Sequence, residues 1–258
     1  MDLGNALNES FAYAKEGLVG KWLKWILLIV LEILPALPII AWAVMFMGSM
    51  MNGTPDIPTF FGGFIVAFII AILLGAFYQG FLLKILRGDK PLPEITNYGR
   101  LFSDGIKYVI IEIIYMIPVI IVLAAVAGAS IMAAVAKGIG PQNMAAALLG
   151  PALVGILIAA ILAIILGLLA LIGVIRFART GTIGEAFNFS AIISTINRIG
   201  WGSYILSLIV IAVILVIVYG ILGLIPILGP IIEIIIGPFI SIFAARYVCQ
   251  LYDSAGTA

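Results

Sequence analysis

Three carboxylates interrupt otherwise apolar stretches: Glu32, Glu112 and Glu233. A charged group at the bilayer centre costs at least about 2.5–3.5 kcal/mol on insertion scales, so an acid in such a stretch is a functional candidate by default. Two of the three share a local pattern. Glu32 precedes Pro38 by six residues, and Glu112 precedes Pro118 by six. Each proline lacks an N–H and so is expected to free the carbonyl four residues back, at Leu34 and Ile114. A carboxylate beside an unpaired carbonyl is chemistry suited to holding a proton or a cation. The competing use is structural. Counted from Lys24 and Lys107, Glu32 and Glu112 lie roughly 12 and 8 Å into the apolar segment at 1.5 Å per residue, shallow enough to snorkel or to pair with a neighbouring helix. Glu233 follows Gly229-Pro230 and shares a helix face with Gly237 and Ser241; it is expected near the outer interface.

A second pattern concerns small residues and terminal cations. Gly75 is followed nine residues later by Lys84, Gly167 by Arg176, and Gly237 by Arg246. Two segments carry matching stripes, Gly63, Ala67, Ala71, Gly75 and Gly155, Ala159, Ala163, Gly167. Small residues every fourth position let helix backbones approach closely in lipid. The pairs Lys84/Arg87 and Arg176/Arg179, with Arg246, are expected to anchor helix ends to headgroups or to bind anionic lipid.

No histidine is present, which removes the commonest general base and metal ligand. Neither a glycine-rich phosphate loop nor a nucleophile elbow can be found. The one cysteine, Cys249, cannot form an internal disulfide. No cofactor and no metal are expected, and enzymatic activity is not. A net charge of +1 points to no nucleic-acid partner.

The elements that must carry these residues are membrane helices. The 258-residue chain is 64% hydrophobic and 10% charged, where soluble domains are about 45–50% apolar and about 25% charged. About 20 helical residues span a bilayer core. Apolar runs place six spans, at Trp22–Met47, Phe60–Ile85, Lys107–Ala133, Ala145–Ile175, Trp201–Leu224 and Pro226–Val248. The fold expected is all-α: one transmembrane domain over residues 1–258, built as three parallel-repeated hairpins at about 1–88, 89–180 and 181–258. Each hairpin is preceded by an amphipathic interfacial helix. At the N-terminus Leu3, Leu7, Phe11, Ala14 and Leu18 form its apolar stripe. Before the third hairpin, Thr182-Ile183-Gly184-Glu185 fits a capping box. The N-terminus lacks the features of a signal peptide, so the first span is expected to target the chain.

Twelve of the thirteen cations fall on the side of the termini and the long linkers; Lys137 is on the other. This bias predicts a multi-pass protein of the plasma membrane with both termini cytoplasmic. Trp22, Trp25, Trp201 and Tyr204 suit the aromatic belts at the headgroups.

The run Leu92-Pro93-Glu94-Ile95-Thr96-Asn97-Tyr98-Gly99-Arg100-Leu101-Phe102-Ser103-Asp104-Gly105-Ile106-Lys107 resembles the signature of a prokaryotic, largely archaeal membrane family catalogued as domain of unknown function 4013. The match centres on Leu-Pro-Glu and on Leu-Phe-x-Asp-Gly-Ile-Lys. The resemblance implies a multi-spanning membrane protein and supplies no site residues.

Two functions follow as expectations. The first is an accessory, scaffold or assembly subunit acting through helix packing and lipid contact, as a homo-oligomer or with a membrane-protein partner. The second is a transporter or channel for protons, cations or a small solute that uses the glutamates.

Overall fold

The computed structural model describes residues 2–53 and 56–256 and is almost wholly helical, with no strand among those residues. The helices are α1 (Leu3–Leu18), α2 (Trp22–Ile33), α3 (Ala36–Met51), α4 (Ile57–Leu86), α5 (Tyr98–Ala136), α6 (Pro141–Thr180), α7 (Phe189–Ile199), α8 (Trp201–Gly223) and α9 (Leu228–Asp253), with a short 3-10 turn at Ile183–Phe187 before α7. Five of them, α4, α5, α6, α8 and α9, are long and apolar enough to cross a membrane.

The sixth expected span is α2 and α3 together, bent by 43°. The bend falls at Leu34-Pro35 rather than at Pro38. Pro35 and Pro38 both lack the N–H that would extend the ladder, and the chain tightens into a turn in which Leu37 N–H donates to the Leu34 carbonyl at 3.3 Å. The carbonyl that Pro38 was expected to free is thereby occupied. At Pro118, by contrast, α5 runs on unbroken. The connection between the first two expected spans, a short turn at 52–58, lies partly outside the described residues.

The ends of α4, α6 and α9 that carry the cations converge; we call this end basal and the hairpin turns distal. The large buried clusters centre on the basal half. Leu18, Leu28, Phe81, Ile85 and Leu101 form one. Ile111, Tyr115, Phe177 and Ala186 form a second, and Ile172, Ile175, Ile192, Ile196 and Tyr204 a third. Toward the distal end, cover within the chain thins: α3 has no buried residue.

The tightest junction is between α4 and α5. A Cβ placed on Gly80 would lie 1.9 Å from the Leu101 carbonyl oxygen, and one on Gly105 would lie 1.8 Å from that of Ala76. The crossing is therefore reciprocal, one glycine from each helix against the other's backbone. Phe77 packs on Phe102 beside it, with ring centroids 5.2 Å apart.

The linker elements sit under this base. In α1 the buried face is Ala6, Ser10, Ala14, Gly17 and Leu18, turned toward α9 and Leu92, while Phe11 is exposed. The protein-facing side thus shares Ala14 and Leu18 with the apolar stripe read in the sequence, with Leu3 and Leu7 packed beside it, and adds Ala6, Ser10 and Gly17, whose small size allows the close approach. The capping box at Thr182 does not form: its side chain makes no cap hydrogen bond. Glu185 turns instead to Arg176, whose side chain is 17% exposed. A charge-assisted bond to a guanidinium is stronger than one to a neutral amide.

Candidate functional site

Helices α2, α4 and α9 bring Glu32, Tyr78, Gly237 and Ser241 together. The Tyr78 hydroxyl donates to Glu32 Oε2 at 3.5 Å and is also in hydrogen-bonding contact with Ser241. The Glu32 carboxylate lies over Gly237, where an added Cβ would come within 2.6 Å of Oε1 and 2.8 Å of Oε2. Glycine at 237 thus makes room for an acid rather than for another helix. Glu233, one turn before Gly237 on α9 and itself exposed, is within electrostatic reach of Glu32, and Tyr219 of α8 is within reach of both. Trp25 pins the same stretch of α9 by donating from Nε1 to the Ile235 carbonyl at 2.8 Å. Gly237 lies nine residues before Arg246, about 13 Å along the helix at 1.5 Å per residue. In a hydrocarbon core about 30 Å thick this is a buried level. The cluster sets one carboxylate and a phenol in hydrogen-bonding contact, with a second carboxylate within electrostatic reach.

Glu112 stands apart. It is exposed on α5 and accepts from the Tyr108 hydroxyl, one turn earlier on the same helix. The proline-related pair Glu32/Glu112 is therefore not brought together; the acid within electrostatic reach of Glu32 is Glu233 instead. Equal spacing to a proline relates positions along two helices and says nothing about which faces meet. Tyr78 went unnoticed in the sequence because nothing in its spacing sets it apart from other aromatic residues in apolar helices.

The basal cations form the second constellation, and they turn inward. Arg87 donates from Nε to the Ala178 carbonyl, and Arg179 from Nε to the Leu86 carbonyl, both at 3.0 Å. Each arginine thus binds the residue preceding the other. Arg87 Nη2 also holds Asp104 at 2.5 Å, with Arg100 and Lys107 at 3.6 and 3.9 Å from the same carboxylate. Arg179 Nη2 holds Asp253 at 2.5 Å and lies 3.3 Å from Cys249 Sγ. Lys84 donates to the carbonyls of Glu94 and Thr96 at 3.0 and 3.3 Å. Arg246, only 2% exposed, reaches Glu9 of α1 at 2.9 Å. Lys90 meets the same carboxylate at 2.5 Å. Where headgroup contact was expected, these side chains find protein partners: acids from α1, α5, α9 and the turn at Glu185 pair with the arginines, and Lys84 meets backbone carbonyls. Cys249 stands twelve residues after Gly237, as Arg87 does after Gly75 and Arg179 after Gly167, and its Sγ lies 3.8 Å from the Leu86 carbonyl oxygen.

The small-residue stripes divide. Gly75 meets Pro35 at 3.4 Å and Gly155 meets Val126 at 2.6 Å, measured from an added Cβ, whereas Gly167 faces open space. Ala67 and Ala159 are buried. Ala71 and Ala163 are partly buried.

Glu9 gives the basal network a pH dependence. Hydrogen bonds from Lys90 first, then Arg246, hold its carboxyl below the ordinary value of 4.5. A depressed folded-state value contributes stability above the ordinary value, and that contribution is lost as pH falls through the folded one. Glu9→Gln is therefore expected to melt below the wild type at pH 6. The gap should close as the pH drops well under 4.5. Melting curves against pH check this; a gap independent of pH would remove Glu9 from the account.

Among the described residues, no group of three His, Cys, Asp or Glu side chains could hold a metal. A family model described as "Protein of unknown function (DUF4013)" matches residues 63–227. No curated protein matches, and no solved structure does.

Proposed function

The chain belongs to the DUF4013 family of proteins of unknown function, and we propose that it is a non-enzymatic integral membrane protein that works by assembly. It acts as an accessory or scaffold subunit, either as a homo-oligomer or with a membrane-protein partner, in contact with lipid. The observation that carries this reading is the contrast between the two ends. The basal end is clasped by its own ion pairs, while α3 buries no residue within the chain. A helix with no buried residue has faces left for another protein or for lipid. In this reading the spans cross the plasma membrane, and the cation-rich basal end with both termini is cytoplasmic. The three-hairpin repeat belongs to the same proposal, supported by the equivalent places of Arg87, Arg179 and Cys249. No cofactor and no nucleic acid enter it. Native mass spectrometry of the protein taken gently from its own membranes tests it. A stoichiometric second subunit, or a discrete homo-oligomer, is the expected result; a clean monomer overturns it.

One observation favours a second reading, a transporter or channel for protons or cations: the Glu32, Tyr78 and Glu233 cluster at a buried level. Proteoliposomes should then show flux that falls at least tenfold in Glu32→Gln and Glu233→Gln and is unaffected by Glu112→Gln. Flux indifferent to the first two substitutions removes the site.

A further inference from the structure

We propose that the slot between α3 and the distal half of α4 holds one acyl chain of a membrane phospholipid, with the lipid's primary amine headgroup held by Asp56. The inference rests on the chain spanning a bilayer and is independent of whether it has a protein partner.

The slot has a volume of about 630 Å³. Aromatic rings from both helices line it. Trp42, Phe46 and Phe60 form one cluster, with ring centroids 4.3 Å apart for Phe46 and Phe60 and 4.9 Å for Trp42 and Phe60. The single polar atom of the Trp42 ring is already used, since Nε1 donates to the Phe60 carbonyl at 3.1 Å. What remains for an occupant is apolar surface. The α4 side of the slot includes Gly63 and Ala67. At Gly63 an added Cβ would meet Trp42 Cδ1 at 3.0 Å. The distal half of the first small-residue stripe therefore shapes a slot.

Depth and polarity identify the occupant. Along α4 the slot runs from Thr59 to Ile70, and along α3 from Ser49 to Pro38. Each stretch covers eleven helical steps, about 16 Å at 1.5 Å per step. One leaflet of a hydrocarbon core about 30 Å thick is about 15 Å deep. The slot therefore has the length and direction of a lipid chain in one leaflet. Its polar groups, Ser49, Asp56 and Thr59, all stand at the mouth, the level of the headgroups. Thr59 Oγ1 donates to Asp56 Oδ2, which steadies the carboxylate there. A carboxylate repels the phosphate of an acidic lipid and attracts an amine. A primary ammonium donates hydrogen bonds to it, and a quaternary one has none to donate.

The test uses the full chain in nanodiscs of equimolar phosphatidylethanolamine and phosphatidylcholine, with retained lipid read by native mass spectrometry. One retained lipid per chain is expected, phosphatidylethanolamine over phosphatidylcholine by about fivefold, or ~1 kcal/mol at about 1.4 kcal/mol per factor of ten. Asp56→Asn should keep the lipid and bring the ratio toward one. Ala67→Phe fills the slot directly; Val66→Trp fills it from a position that is 58% exposed and can be changed without disturbing packed residues. Loss of the retained lipid in either variant, with a wild-type melting temperature, is the supporting result. Retention undiminished in a filled variant that melts as wild type overturns the site. A headgroup ratio near one in the wild type, or unmoved by Asp56→Asn, overturns the role of Asp56. A free apolar amine that binds the delipidated chain where neither phospholipid is retained would replace the lipid as the occupant. None of these results depends on the partner expected from native membranes.

Discussion

Replacing Gly105 by alanine is expected to lower the melting temperature of the purified protein by roughly 6–12 °C, from a loss of about 3 kcal/mol. The added methyl would fall 1.8 Å from the Ala76 carbonyl oxygen. An ordinary carbon–oxygen contact between helices is about 3.3–3.6 Å. The obstacle is backbone, so no side chain can rotate away, and α4 and α5 must separate by more than an ångström. Separation would also open the neighbouring contact of Gly80 with Leu101 and the Phe77–Phe102 packing. Gly80→Ala is expected to cost a similar amount, and the double variant less than the sum, because both changes push the same two helices apart. Gly99→Ala serves as the control: it lies in the first turn of α5 with nothing within 4 Å of an added Cβ. Loss of a flexible glycine there should be neutral or slightly stabilising. Equal melting temperatures for the Gly105 and Gly99 variants would show that the crossing is not tight.

That crossing explains the run that carries the family resemblance. Leu101 is buried and offers its carbonyl to Gly80, Asp104 takes Arg87, and Gly105 meets Ala76. The motif is the α5 half of a helix junction. The sequence showed the motif but not its use, because the other half lies in α4, where Gly80 is one glycine among many. The same limit applies elsewhere. Apolar length located the spans, since length and hydropathy are properties of one segment at a time. Even so, α5 starts at Tyr98, nine residues before the apolar run at Lys107, because Asn97 caps a helix whose first turns belong to the basal network. The partner of Glu32 was not legible, because contact depends on how three helices are rotated. The fate of the terminal cations was hidden for another reason. Composition gives their side of the bundle, but the acids that meet them come from elsewhere in the chain, as Glu9 does for Arg246.

The largest electrostatic effect is expected at Asp104. Its side chain is 11% exposed, and Arg87, which it holds at 2.5 Å, is 17% exposed. Removing one partner of a buried ion pair costs about 3–5 kcal/mol, because the remaining charge stays buried without compensation. Asp104→Asn keeps the shape and removes the charge, leaving Arg87, Arg100 and Lys107 around a neutral amide. A loss of about 3 kcal/mol is expected, toward the lower end because Arg100 and Lys107 are more exposed and screened. The damage should not stay local. Arg87 also binds the Ala178 carbonyl, and Arg179 returns the contact to Leu86, so one guanidinium ties α5 to α4 and α4 to α6. Freed from Asp104, Arg87 can leave the clasp, and amide exchange should quicken at the basal ends of both α4 and α6. A melting series with a double-mutant cycle separates the pair from its surroundings. Replacing both partners by apolar residues, Asp104→Leu with Arg87→Met, is expected to recover part of the loss, because no charge is then left buried alone. Asp104→Asn melting with the wild type, together with a coupling energy below about 0.5 kcal/mol, would mean that the basal end is held by its apolar clusters and that the arginines merely lie against it.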